Sequence, residues 1–129
     1  MERLVLLAML MLTGCSASVA GDWVGVCSFS PAGGYPAEME VSAEIWTDNG
    51  RNVEGRMTIA DWTGAGRTSD LIGSHTGRYV FLQSSFLSEL GDYVLEIDAE
   101  KSGRQMDGEC AFMVPEGEGA LIGDAELAR

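Results

Sequence analysis

At 129 residues the chain has room for one domain with a core of its own. Its 20 Asp and Glu against 8 Lys and Arg leave a formal charge of −12, a surface that repels nucleic acid and anionic headgroups and admits a basic partner. With 46% of residues hydrophobic, an intrinsically disordered chain is excluded.

The chain opens Met1-Glu2-Arg3 and runs apolar from Leu4 to Leu12. A membrane-spanning helix needs roughly 20 apolar residues. The shorter run fits the core of a secretory signal peptide, about 7–15 residues. It ends Leu12-Thr13-Gly14-Cys15. Small residues there let the peptide lie extended in a peptidase cleft, and the thiol can take a diacylglycerol. The motif resembles the lipobox of bacterial lipoproteins. That resemblance implies a lipoprotein signal peptide, removed, over residues 1–14. It implies lipid attachment at Cys15, a lipidated N-terminus and tether over 15–21, and a domain over 22–129. It also implies three acyl chains on Cys15, where stable anchoring takes two. Ser16 after the cysteine resembles outer-membrane sorting, facing the periplasm, where the source has two membranes. The alternatives are an ordinary signal peptide cut elsewhere, at Ala17 or Ala20, and a retained anchor helix.

The remainder reads as strands, with no sustained helical period. Trp23, Gly25, Cys27 and Phe29 share one face of the first run, Asp22–Phe29. In the second, Ala37, Met39, Val41, Ala43 and Ile45 oppose Glu38, Glu40, Ser42, Glu44 and Trp46, the pattern of a half-buried antiparallel strand. Asp48-Asn49-Gly50 is a hairpin turn. Val53, Met57 and Ile59 form the apolar face of the third run, and a looser stretch covers Asp61–Asp70. Leu71-Ile72-Gly73 precedes a turn, then Tyr79–Gln83 and a loop near Ser88–Gly91. Tyr93, Leu95, Ile97 and Ala99 share a face, as do Met106, Cys110, Phe112 and Val114 beyond the Lys101-Ser102-Gly103 turn. A final strand starts at Ala120 and ends near Leu127.

About eight short strands joined by hairpin-like turns predict an all-β, single small antiparallel barrel in meander topology, with a β-sandwich as the alternative. Beyond the lipobox, Cys27 and Cys110 remain. An oxidising compartment would join them, worth roughly 4 kcal/mol for so long a loop; the alternative is two buried thiols. Barrel closure would bring an early strand to a late one and so favour the bond. No CxxC or zinc-type spacing is present. The segment Gly50-Arg51-Asn52-Val53-Glu54-Gly55-Arg56-Met57 is echoed by Gly103-Arg104-Gln105-Met106-Asp107-Gly108-Glu109-Cys110. In each copy the first glycine is expected to supply a positive φ at a turn, and the second to sit on the inner face where the strand bends. The Arg and the acid are expected to pair with outer-face neighbours.

Gly21-Asp22-Trp23 resembles the Gly-x-Trp start of lipocalin and avidin-like barrels, and Gly91-Asp92-Tyr93 resembles the lipocalin Thr-Asp-Tyr element with Gly in place of Thr. The resemblance implies an Arg near the C-terminus, here Arg129, packed on Trp23. A second resemblance is to small periplasmic protease inhibitors, which share the Gly-x-Trp start, a small barrel and one disulfide, though with cysteines close in sequence. Small barrel lipoproteins that inhibit lysozyme are a third comparison, and the acidity fits their basic targets.

Candidate chemistry is sparse. His75 lies in Gly73-Ser74-His75-Thr76-Gly77 and reads as a turn histidine. Ser74 beside it would point to the opposite face, so no Ser-His contact is expected, even with Asp70 near. Glu96, Asp98 and Glu100 share a strand face that reads as solvated rather than Ca²⁺-binding. Trp46, on the charged side of its strand, and Trp62, among flexible glycines, are candidate contact residues; the alternative is packing against a loop or rim. The sequence therefore predicts a lipid-anchored, non-enzymatic protein without cofactor or metal, acting in the cell envelope through its loops and outer acids. One alternative is a carrier of a small apolar ligand lined or plugged by Met39, Met57, Phe81, Tyr93, Met106 and Phe112. Another is an inhibitor of a basic hydrolase. A hollow interior favours carriage; a filled one with exposed Trp46 or Trp62 favours protein interaction.

Overall fold

The computed structural model describes residues 18–29, 38–60, 66–88, 91–113 and 119–129. The lipobox with Cys15, most of the tether, Trp62, and Val114 lie outside the described residues. The strands are β1 (Gly21–Phe29), β2 (Glu38–Asp48), β3 (Asn52–Ala60), β4 (Gly66–Thr76), β5 (Tyr79–Ser88), β6 (Gly91–Ser102), β7 (Gln105–Met113) and β8 (Ala120–Ala128). Each pairs antiparallel with its neighbours in sequence, and β1 pairs with β8. The closed meander barrel is thus established, and the sandwich is set aside by the β1–β8 ladder. Alternation explains it: one face of every strand is apolar, and closing the sheet buries those faces together while leaving no edge.

Two boundaries differ from the sequence reading. The stretch before Asp70 is not loose throughout, because β4 begins at Gly66 and pairs with β3 through Thr58↔Thr68 and Arg56↔Asp70. β4 also runs past Gly73 to Thr76, so His75 is a strand residue, not a turn residue. Leu71, Gly73 and His75 all sit on the inner side of this strand. Polar side chains between them had hidden the alternation.

The interior is filled. Trp23, Met57, Leu82, Leu95, Ile97 and Met106 are each under 2% exposed. At the end where β1 finishes, Tyr93 stacks on Phe112 with ring centroids 5.5 Å apart, and Phe29 lies 6.4 Å from Phe112. At the other end, Trp23 and Val19 are fully buried. Phe81 does not line the core: Val80 and Leu82 point in, so Phe81 points out, half-buried.

A Cys27–Cys110 disulfide joins β1 to β7 on the inside, with Cα atoms 6.2 Å apart. Cys27 is opposite Ala125, and Cys110 is opposite Gly123, both on the intervening β8. The glycines of the twin hairpins behave as their shared pattern predicts. Gly50 and Gly103 have φ of 90° and 65° at the turns. Gly55 and Gly108 face inward, and a Cβ there would lie 2.0 Å and 2.1 Å from the carbonyl oxygens of Glu44 and Asp98. The backbones of adjacent strands approach that closely only where no side chain intervenes. Arg51 and Arg104 occupy the turn tips rather than a strand face.

Candidate functional site

Three features carry chemistry, and the first is the barrel end holding the N-terminal segment. β2 contains a bulge: Ile45 is opposite Gly55 and Thr47 opposite Glu54, which leaves Trp46 as the extra residue. Trp46 and Thr47 are consequently both exposed, and the parity of the strand flips. Asp48, which simple alternation would aim at solvent, turns inward and its side chain is 2% exposed. It meets His75 on β4, whose Nδ1 lies 2.8 Å from Asp48 Oδ2.

The same carboxylate oxygen accepts from the Val19 amide at 2.8 Å, and Oδ1 accepts from the Gly50 amide at 3.0 Å. Burial would raise the Asp48 pKa, but the hydrogen bonds from Val19, Gly50 and His75 outweigh it and hold the carboxyl below its ordinary 3.8. With a proton on Nδ1 facing the carboxylate, Nε2 of His75 is left buried without a hydrogen-bond partner among the described residues. Trp23 Nε1 donates to the Val19 carbonyl at 2.7 Å. Arg129 lies over the Trp23 ring, 4.6 Å from its centroid, and donates to the carbonyls of Ser18 and Ala20 at 2.9 and 2.8 Å. The Arg129–Trp23 contact expected from position is therefore present. Burial, then the nearby Arg129, lower the Lys101 pKa, with Asp48 opposing.

The second feature is the outer wall of β1–β3. Val24, Ser42, Thr58 and Thr68 form one row across β1 to β4, with the two threonine hydroxyls 2.9 Å apart. Small side chains leave a depression of about 530 Å³ there, floored by Val24, Val26, Ser42, Thr58 and Ala60 and flanked by Glu40. A second, of about 420 Å³, lies beside Asp22, Glu44 and Arg56. Both open on the outside of the barrel. Val24 is 62% exposed and Trp46 55%, with the Arg56 guanidinium 5.4 Å from the Trp46 ring centroid.

The third is what the sequence placed elsewhere. Ser74 faces out while His75 faces in, and His75 partners Asp48 rather than Asp70, so no Ser–His contact forms. Glu96 accepts from Gln83 at 2.9 Å, and its neighbours Asp98 and Glu100 stay on the exposed wall. Among the described residues, no three His, Cys, Asp or Glu converge in a way that could hold a metal ion. The Asp48–His75 pair was missed in sequence because the bulge is invisible to a strict period of two. The one available signal was an Asp directly before Asn49-Gly50, a position suited to capping the turn. Comparison with family models, curated proteins and solved structures gives no match.

Proposed function

We propose that this protein is a lipid-anchored lipoprotein of the bacterial cell envelope whose outer wall binds a basic protein partner, without catalysis. The observation that supports the reading is the filled interior beside an open outer wall. An eight-stranded barrel holds either its own side chains or one small ligand, and here Trp23, Met57, Leu95 and Met106 are fully buried inside it. Recognition then falls to the outside, where exposed Val24 lines both depressions, exposed Trp46 packs on Arg56 at the edge of the second, and Glu40, Glu44 and Asp22 lie beside them. Aromatic anchors ringed by charge are the usual makings of a contact hot spot. The acids favour a basic partner, of which a basic hydrolase is one kind.

The test is site-specific photocrosslinking in the envelope of a bacterium expressing the full chain. A benzophenone side chain at Val24 or Trp46 is expected to give a discrete adduct with a basic protein, absent with the probe at Leu87. No adduct at either wall position refutes the reading. An apolar molecule co-purifying with the protein and released only on denaturation restores ligand carriage.

A further inference from the structure

Three of the seven strand connections fall at one end of the barrel. They are Asn49–Arg51 between β2 and β3, Gly77–Arg78 between β4 and β5, and Gly103–Arg104 between β6 and β7. Each carries a Gly-Arg pair and no acid. The C-terminal Arg129 and the nearby Lys101 are at the same end. Of the chain's 8 Lys and Arg, the others are Arg3, Arg56 and Arg67. The four connections that join strands at the opposite end contain Asp61, Glu89, Glu116 and Glu118 and no Lys or Arg. A chain of net charge −12 is thus built with a basic rim at one end.

That rim is held in place by the backbone. The Arg51 carbonyl accepts from the His75 amide at 3.0 Å, that of Arg78 from Lys101 at 2.7 Å, and that of Arg104 from Arg129 at 2.9 Å. Each turn is tied to the strand end beside it, and the side chains of Arg51, Arg78 and Arg104 are exposed. Ser18, Val19 and Ala20 enter at this same end, gripped by Asp48, Trp23 and Arg129. From Ser18 back to Cys15 is three residues, a reach of roughly 10 Å.

We propose that this basic rim is a docking surface for the anionic headgroups of a lipid bilayer, so that the barrel stands with its tight turns down and its acidic loops away from the membrane. The proposal deepens the anchoring reading and rests on it: lipid on Cys15 would bring this rim, and no other face, within reach of headgroups. Net charge alone predicts repulsion. Screening favours the foremost charges, because those beyond about 8 Å are largely silent at physiological salt; the turn arginines lie at the tip, with exposed Glu54, Glu100 and Asp107 set two residues further back along their strands. A Lys or Arg at an anionic leaflet gains roughly fivefold in local occupancy.

The full chain is expressed in a bacterium, purified from the membrane fraction and reconstituted into vesicles of phosphatidylcholine or of phosphatidylglycerol. Phenylglyoxal labelling is then read residue by residue by mass spectrometry. Arg51, Arg78 and Arg104 are expected to label roughly fivefold more slowly on phosphatidylglycerol, with high salt abolishing the difference, while Arg56 and Arg67 label alike on both. Equal rates for all five on both vesicles overturn the docking surface. The intact mass separates the two readings. A chain without acyl groups on Cys15 sinks the anchoring, and the same labelling with Cys15 coupled to a maleimide lipid then decides the rim on its own.

Discussion

Replacing Asp48 with Ala removes the acceptor shared by Val19, Gly50 and His75. The Gly50 bond is exposed and contributes little. The other two lie at a nearly closed barrel end, where a hydrogen bond to a charged group is worth about 1.5–3 kcal/mol and a stranded buried partner adds to the loss. Asp48→Ala is therefore expected to cost about 3–5 kcal/mol, a large share of the roughly 5–15 kcal/mol that holds a domain folded. Urea unfolding at neutral pH measures it. His75→Leu, which leaves Asp48 its two backbone donors, is expected to cost less than about 2 kcal/mol, and the double variant less than the sum, with a coupling of about 1–3 kcal/mol. The pH dependence follows from the depressed Asp48 pKa. Its contribution is complete above the ordinary value of 3.8 and is lost as pH falls through the lower folded value, so the gap between wild type and Asp48→Ala narrows only in that acid range. A cost under about 1 kcal/mol at neutral pH, or a gap of equal size at pH 7 and about pH 2, would refute the role assigned to this carboxylate.

Three further outcomes are expected. Cys27→Ala with Cys110→Ala, separated by 83 residues, loses about 4.5 kcal/mol in the chain-entropy account, and an unchanged denaturation midpoint would contradict it. Gly108→Ala drives a methyl into the Asp98 carbonyl and costs at least about 2 kcal/mol, whereas Gly66→Ala meets only the Thr58 methyl at 3.8 Å and stays within about 0.5 kcal/mol; similar values for the two would remove the bend argument. Arg129→Ala strips two hydrogen bonds and the ring contact from the N-terminal segment, so hydrogen exchange at the Val19 amide rises about tenfold, and unaltered exchange would mean the clamp is idle.

The barrel was legible because each strand is half-buried, and half-burial writes itself as alternation. Val41, Ala43 and Ile45, or Leu95, Ile97 and Ala99, could face only one way once the sheet closed. The paired cysteines and the twin hairpins followed from the same parity. What escaped was every place where parity breaks or where the inward residue is polar. One extra residue at Trp46 aims Asp48 inward, and a histidine on the inner side of β4 looks like a turn when its neighbours are Ser74 and Thr76. The basic rim uses three of the five Gly-Arg pairs in the sequence, those that fall at turns. Reading it required strand direction as well as strand identity, since only the meander sends all three turns to one end.

The disulfide has a bearing on how the barrel is assembled. Every ladder but one joins neighbours in sequence; the exception is the seam where β8 meets β1. The Cys27–Cys110 bond reaches beneath β8 from β1 to β7, so the last strand is not needed to form it. On the export route proposed above, a chain crossing a membrane from its N-terminus would be open to oxidation across this slot while its final residues were still in transit, and β8 would then join from the outer side with no loop to thread. A chain truncated before β8 would keep a covalently held gap with two unpaired strand edges, a template for whatever extended segment lies nearest.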